Sequence, residues 1–166
     1  MNYFPASFSD TYGQVPMVPH VYYSQAKDMV PFPFNVQFLH EDIVSSSSSS
    51  SLLESPFDII TCLSVTKWIH MNGGDDALLT LFGKFRDLLR PGGLLILEPQ
   101  PWSSYYSKSR LDPVLTENYQ HNCKIKPDQF QSLLETPQFG FKFMDTVENP
   151  NPVKGFNRPI LIFSRM

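Results

Sequence analysis

The chain has 166 residues, 42% of them hydrophobic and 14% aromatic, enough to bury the core of one compact domain. A formal net charge of -3 excludes a protein that coats nucleic acid through bulk electrostatics, which needs a surplus of Lys and Arg, so any RNA contact has to be local. Cys62 and Cys123 form neither a disulfide framework nor a zinc-ligand pair, and no long apolar run or signal pattern marks a membrane or secreted protein; the expectation is a soluble, intracellular chain with no metal and no membrane partner.

Residues 1–33 are rich in Pro, Tyr, Phe and Ser, and Pro5, Pro16, Pro19, Pro31 and Pro33 interrupt every candidate helix or strand. An irregular arm is expected. Its aromatics, among them Tyr3, Phe4, Tyr22 and Tyr23, are numerous enough to pack on the domain or on a partner, and a poorly ordered terminus accounts for the composition equally well. The domain proper is expected over 34–166, beginning with a short strand at 35–39 where Val36 and Phe38 share a face. Seven serines at 45–51 have no apolar group to bury and predict a flexible surface loop.

From Phe57 the pattern becomes regular. Asp58-Ile59-Ile60-Thr61-Cys62-Leu63 is a nearly continuous apolar run, as a strand buried on both faces of a parallel sheet requires. A helix is predicted to start at Asp75 or Asp76, with Leu78, Leu81, Phe82, Phe85, Leu88 and Leu89 on one stripe and Arg86 and Arg90 near its C-terminal end. Pro91-Gly92-Gly93 stops it and turns the chain into the strand Leu94-Leu95-Ile96-Leu97, which completes a βαβ unit. A second helix is predicted from Pro127, carrying Phe130, Leu133 and Leu134 inward, and two β-rich segments, Phe141–Val147 and 159–163, are expected to pair antiparallel at the end of the sheet.

Ligands of such sheets bind beyond the carboxyl ends of the strands. Three segments occupy those places: His40-Glu41-Asp42-Ile43, then Ser64-Val65-Thr66-Lys67-Trp68-Ile69-His70-Met71-Asn72, then Glu98-Pro99-Gln100-Pro101-Trp102. Singly, each residue has a plain account, with Trp68 and Trp102 capping the core, Lys67 a solvated cation and His70 a surface histidine. Crowded at successive strand ends, they suit a cleft for cofactor and substrate.

The same strings, with Leu89-Arg90-Pro91-Gly92-Gly93 and Gly155-Phe156-Asn157-Arg158-Pro159, resemble the bicoid-interacting-protein family of RNA methyltransferases that cap RNA 5′ ends as methylphosphates. The Arg-Pro-Gly-Gly turn is common to many methyltransferases, whereas Thr-Lys-Trp and Glu-Pro-Gln-Pro-Trp in this order are specific. Tyr3-Phe4-Pro5-Ala6-Ser7 extends the resemblance loosely toward the N-terminus. It implies an α/β chain with a partial Rossmann-like class I methyltransferase fold, truncated so that it lacks the first two strands and the Gly-rich loop. Neither Gly73-Gly74 nor Gly92-Gly93 is placed to be that loop.

The resemblance further implies S-adenosyl-L-methionine as cofactor, with Asp42 and Ile43 flanking the adenine and Leu63 lining the wall near the methionine part; Asp42 stands where the family commonly has Asn. Lys67 and Trp68 would face the 5′ end of a small RNA, with Lys67 the candidate catalytic residue, holding a phosphate as a point charge. Phe156 and Arg158 would hold the first nucleotide by stacking and phosphate contact. A terminal phosphate oxygen is already anionic at neutral pH, so positioning rather than a general base is the main task, and His70 and Glu98 are expected to shape the cleft. RNA-binding protein partners and residence in the nucleus rather than the cytoplasm go with this role. The alternative from another class is a non-catalytic RNA- or protein-binding module that keeps only the substrate face; a hydrolase fits poorly, since Ser103-Ser104 lies in no nucleophile elbow and nothing pairs it with a histidine.

Overall fold

A computed structural model describes residues 42–45, 56–148 and 158–166. The chain divides into two units, Met1–Glu41 and Asp42–Met166, and every described residue belongs to the second. The expected N-terminal arm, the strand at 35–39, His40, Glu41, the serines beyond Ser45 and Phe156 lie outside the described residues.

Strand β1 (Phe57–Leu63) pairs in parallel with β2 (Leu89–Glu98), in a register that runs from Ile59 opposite Leu94 to Leu63 opposite Glu98. The two strands therefore end together. Strands β3 (Phe141–Val147) and β4 (Ile160–Arg165) form the expected antiparallel pair, and β4 also pairs antiparallel with β2, for a sheet order of β1-β2-β4-β3. Because Leu161 lies opposite Leu97, the residues just before β4 arrive where β1 and β2 finish. This α/β sheet, with its parallel pair joined through a helix, is Rossmann-like in part.

The connection between β1 and β2 is helix α1 (Thr66–Leu88), broken at Gly74, whose φ of 66° and ψ of -166° are not helical. Its second half starts at Asp75, where the sequence predicts a helix. The first half is a helix where the sequence predicts only a segment following a strand end. It was invisible to hydrophobic periodicity because its buried positions are Thr66, Lys67, His70 and Met71, a helical stripe that is mostly polar.

Helices α2 (Trp102–Ser109) and α3 (Pro113–Glu117) follow β2, and a wide helical turn over Asn118–Asn122 follows them; none has a strong apolar stripe to announce it. Asp112 caps α3 by accepting from the Val114 amide at 2.7 Å. The helix predicted from Pro127 forms as a tight turn, Pro127–Gln129, leading into α4 (Phe130–Leu134).

The core lies between α1, α4 and one face of the sheet. Leu78, Leu81, Phe82 and Phe85 of α1 pack with Cys62, Leu95, Leu97, Phe141 and Phe163 of the sheet and with Phe130 and Leu134 of α4. Phe82 meets Phe130 edge-to-face at 5.4 Å and Phe139 at 6.0 Å, geometry favoured by the ring quadrupoles. Burial of β1 on both faces was expected, yet Ile59 and Leu63 remain 53% and 47% exposed while Cys62, pointing the other way, is buried. The described helices supply apolar cover to the Cys62 face, so the alternate side chains have none.

The break at Gly74 should tolerate no side chain. Its conformation is one essentially reserved for glycine, and an added Cβ would lie 2.9 Å from Asn122 Cβ. Gly74→Ala is expected to lower unfolding free energy by about 1–3 kcal/mol, measured by urea denaturation, whereas Gly83→Ala, with open space around it, should not.

Candidate functional site

Ser64 leaves β1 with φ at 59°, a left-handed conformation uncommon outside glycine. Four contacts hold it there. Its amide donates to the Glu98 carbonyl at 3.2 Å, its hydroxyl donates to Glu98 Oε2 at 2.8 Å, its carbonyl accepts from Gln100 Nε2, and its Oγ accepts from Arg158 Nη1 at 2.5 Å. Arg158 also lies 3.5 Å from Glu98 Oε1, with both side chains mostly buried. Gln100 is 2% exposed, and its Oε1 accepts from the Lys67 amide at 3.2 Å and from Thr66 Oγ1 at 3.4 Å.

Lys67 stands on the first turn of α1 and is only 6% exposed. Among the described residues it has no carboxylate partner; its Nζ sits 4.7 Å from the centroid of the Trp68 ring. Burial, then the neighbouring charges of Arg158 and Lys108, hold its pKa below the ordinary lysine value. Beside Arg158 opens a cleft of about 310 Å³, walled by Pro99, Pro101, Pro127, Pro159 and Leu161, with Gln100, Asp128 and Gln131 also on its lining.

One turn further along α1, His70 is fully buried rather than at the surface. Its Nε2 is 2.7 Å from Asp75 Oδ1 and its Nδ1 is 3.4 Å from the Tyr105 hydroxyl, while Cys123 Sγ donates to its carbonyl at 3.3 Å. Asp75 Oδ1 also accepts from the amides of Lys124 and Ile125 at 3.0 and 3.1 Å, and Asn118 Nδ2 donates to the carbonyls of Met71 and Asn72 at 2.9 and 3.0 Å. These bonds tie both sides of the helix break to the segment 118–125. Burial lowers the His70 pKa, and the hydrogen bond and charge of Asp75 only partly oppose it. Trp102 packs on Tyr105 and Tyr119 at 4.8 and 5.1 Å beside Met71 and Leu115, so it caps a second small core.

Of the residues singled out from the sequence, Lys67, Trp68 and Arg158 come together at the end of β1, next to Leu63. Asp42 and Ile43 do not join them. The Asp42 carboxylate accepts from the Val44 amide at 2.9 Å, Ile43 packs on the main core, and the Val44 carbonyl accepts from Lys84 at 3.1 Å. Lys84 belongs to the second half of α1, beyond the break at Gly74, whereas Lys67 belongs to the first. For a methyl-donating cofactor the described residues offer the exposed Leu63 as wall but no glycine-rich turn after a parallel strand, since β1 runs into Ser64-Val65 and β2 into Pro99-Gln100. The described residues therefore do not complete a grip on it.

Sequence reasoning passed over Ser64, Gln100 and Lys108. Ser64 could have been flagged only by a left-handed backbone, which composition does not reveal. Gln100 was visible within its motif, but its partners lie more than thirty residues away.

Residues 57–165 match the family model described as bicoid-interacting protein 3. The chain is 39% identical to the 7SK snRNA methylphosphate capping enzyme of Homo sapiens, over 98% of this chain and 23% of that protein. It is 41% identical to the U6 snRNA methylphosphate capping enzyme Amus of Drosophila melanogaster, over 79% of this chain and 44% of that protein, and 40% identical to a probable RNA methyltransferase of Arabidopsis thaliana, over 78% and 40%. The chain thus spans less than half the length of each of these relatives. Among the described residues no helix is long and apolar enough to cross a membrane, and no group of three or more His, Cys, Asp or Glu could hold a metal.

The His70 environment makes stability depend on pH. The folded pKa lies below the ordinary histidine value, so on acidification the unfolded chain takes up the proton first. This contribution is intact above about pH 6.5 and is lost as pH falls toward the folded pKa. His70→Gln should flatten the stability profile between about pH 5 and pH 7, as read from urea midpoints across that range.

Proposed function

The chain belongs to the bicoid-interacting protein 3 family, and from that membership we propose that it carries the substrate-gripping face of an S-adenosylmethionine-dependent RNA methyltransferase acting on the 5′-terminal phosphate of a small RNA. The observation that carries this reading is the cation cluster at the carboxyl edge of the sheet. Lys67 is buried, has no carboxylate partner among the described residues, and feels the charges of Arg158 and Lys108. Glu98 offsets Arg158 but forms no ion pair with Lys67.

Like charges held together under partial burial are costly unless an anion joins them, and a terminal phosphate brings both the charge and the oxygen acceptors. Arg158 offers a planar fork to two oxygens and Lys67 a point charge. The rigid proline walls beside Arg158 suit the flat face of the first nucleobase. When bound, the cofactor would supply an electrophilic methyl group; the task of this chain's residues is to fix the phosphate and shield it from water. The relatives named for capping 7SK and U6 snRNA agree with a phosphate at an RNA 5′ end.

The absence of a glycine-rich strand turn among the described residues favours a second reading, a module that binds RNA without turning over cofactor. Calorimetric titration with S-adenosylmethionine separates the two. Heat with saturation supports the enzyme reading, and no heat at millimolar cofactor supports the binding module, with family membership intact either way.

Both readings predict affinity for 5′-phosphorylated RNA. Lys67→Ala and Arg158→Ala should each weaken binding of a short 5′-monophosphorylated oligoribonucleotide about tenfold in fluorescence anisotropy, and each should reduce the salt slope by about 0.7. An oligonucleotide with a 5′ hydroxyl should show little response to either change. Equal losses with both RNAs would remove the assignment to the terminal phosphate.

A further inference from the structure

We propose that Gln100 is a positioning residue that makes Lys67 and Arg158 into one phosphate-binding unit, an inference that rests on the reading above. A helix opens with backbone N–H groups that have no partner within the helix, and the usual remedy is a Ser, Thr, Asp or Asn side chain at the residue before it. Val65 occupies that place in α1 and offers no such group. Gln100 answers from a different segment, the loop after β2. Its carbonyl oxygen accepts from the Lys67 amide and from the Thr66 hydroxyl, and its amino group donates to the Ser64 carbonyl.

The donors and acceptors fix which way the amide points. Only its oxygen can receive the Lys67 N–H, and only its nitrogen can donate to the Ser64 carbonyl. Glutamate has the acceptor but no donor, and methionine fills the volume with neither. Asparagine is one methylene short of spanning both.

Each cation of the cluster is tied to this amide by a short path. The Lys67 backbone bonds to it directly, which sets where the lysine side chain leaves the helix. Arg158 reaches it through Ser64, whose carbonyl is held by Gln100 and whose Oγ accepts from Arg158 Nη1 at 2.5 Å. Ser64 could relax from its left-handed φ of 59° if the amide were withdrawn, and the Arg158 contact would shift with it. Gln100 is nearly inaccessible although it borders the cleft, so its effect is exerted through these neighbours.

A double-mutant cycle on 5′-monophosphorylated oligoribonucleotide binding tests this. Gln100→Met should weaken binding about fivefold in the parent chain but less than about twofold in a chain that carries both Lys67→Ala and Arg158→Ala, because its effect passes through these two cations. The salt slope should fall in Gln100→Met as it does in Lys67→Ala. Gln100→Glu, which keeps the acceptor for the helix start and loses the donor to Ser64, serves if the methionine variant gives no cooperative melt; its loss should be non-additive with Arg158→Ala, the cation reached through Ser64. Additive losses, or an unchanged salt slope in a folded variant, would reduce Gln100 to a packing role and overturn the inference. A Lys67→Ala chain that binds as tightly as the parent would instead remove the phosphate reading, and this inference with it.

Discussion

Where two parallel strands stop at the same level, their last peptide groups and the first turn of the connecting helix all need hydrogen-bond partners, and in this chain Ser64, in an uncommon backbone conformation, joins the strand ends while Gln100 serves the helix. Ser64 turns left-handed at the end of β1, and amide, carbonyl and hydroxyl are all engaged, by Glu98, Gln100 and Arg158. The in-step register of β1 and β2 makes this possible by setting Leu63 beside Glu98. The antiparallel course of β4 delivers Arg158 to the same level from the other side.

The broken helix is the second element of the arrangement. A straight α1 would direct both halves by the packing of its long apolar stripe on the sheet. With Gly74 breaking it, the first half is free to be set by polar contacts, with Gln100 at one end and the His70, Asp75 and Asn118 bonds at the other. Such a network carries risk because each buried polar group needs its partner. In return, Lys67 is held in place while buried and without an acidic partner among the described residues.

That tension gives the site its chemical direction. Glu98 balances Arg158, and Trp68 offers Lys67 the face of its ring; under the proposed function an anionic phosphate would join both cations. The surface need not be basic overall for this to work. A chain of net charge -3 can bind a phosphate when two cations converge under low exposure, where screening by water and salt is weaker.

The sequence by itself determined the βαβ unit, the antiparallel strand pair and the second half of α1, because each follows from a local repeat, apolar runs for strands and three- and four-residue spacing for the helix. The helix stops at Leu88, ahead of the expected Pro91-Gly92-Gly93, and Leu89 already opens β2. The strings at the strand ends also pointed to the family, and it was that resemblance that implied Lys67, Trp68 and Arg158 face one ligand. Tertiary structure alone decided that 66–73 is helical, since its buried face is polar and periodicity counts only apolar residues. It alone set the turn at 42–45 beside Lys84 in the second half of α1, because position after a strand says nothing about which part of a helix a turn packs against. The roles of Ser64 and Gln100 belong there as well: a hydrogen bond between residues more than thirty positions apart leaves no local trace, and it exists only once strand register has set its two ends side by side.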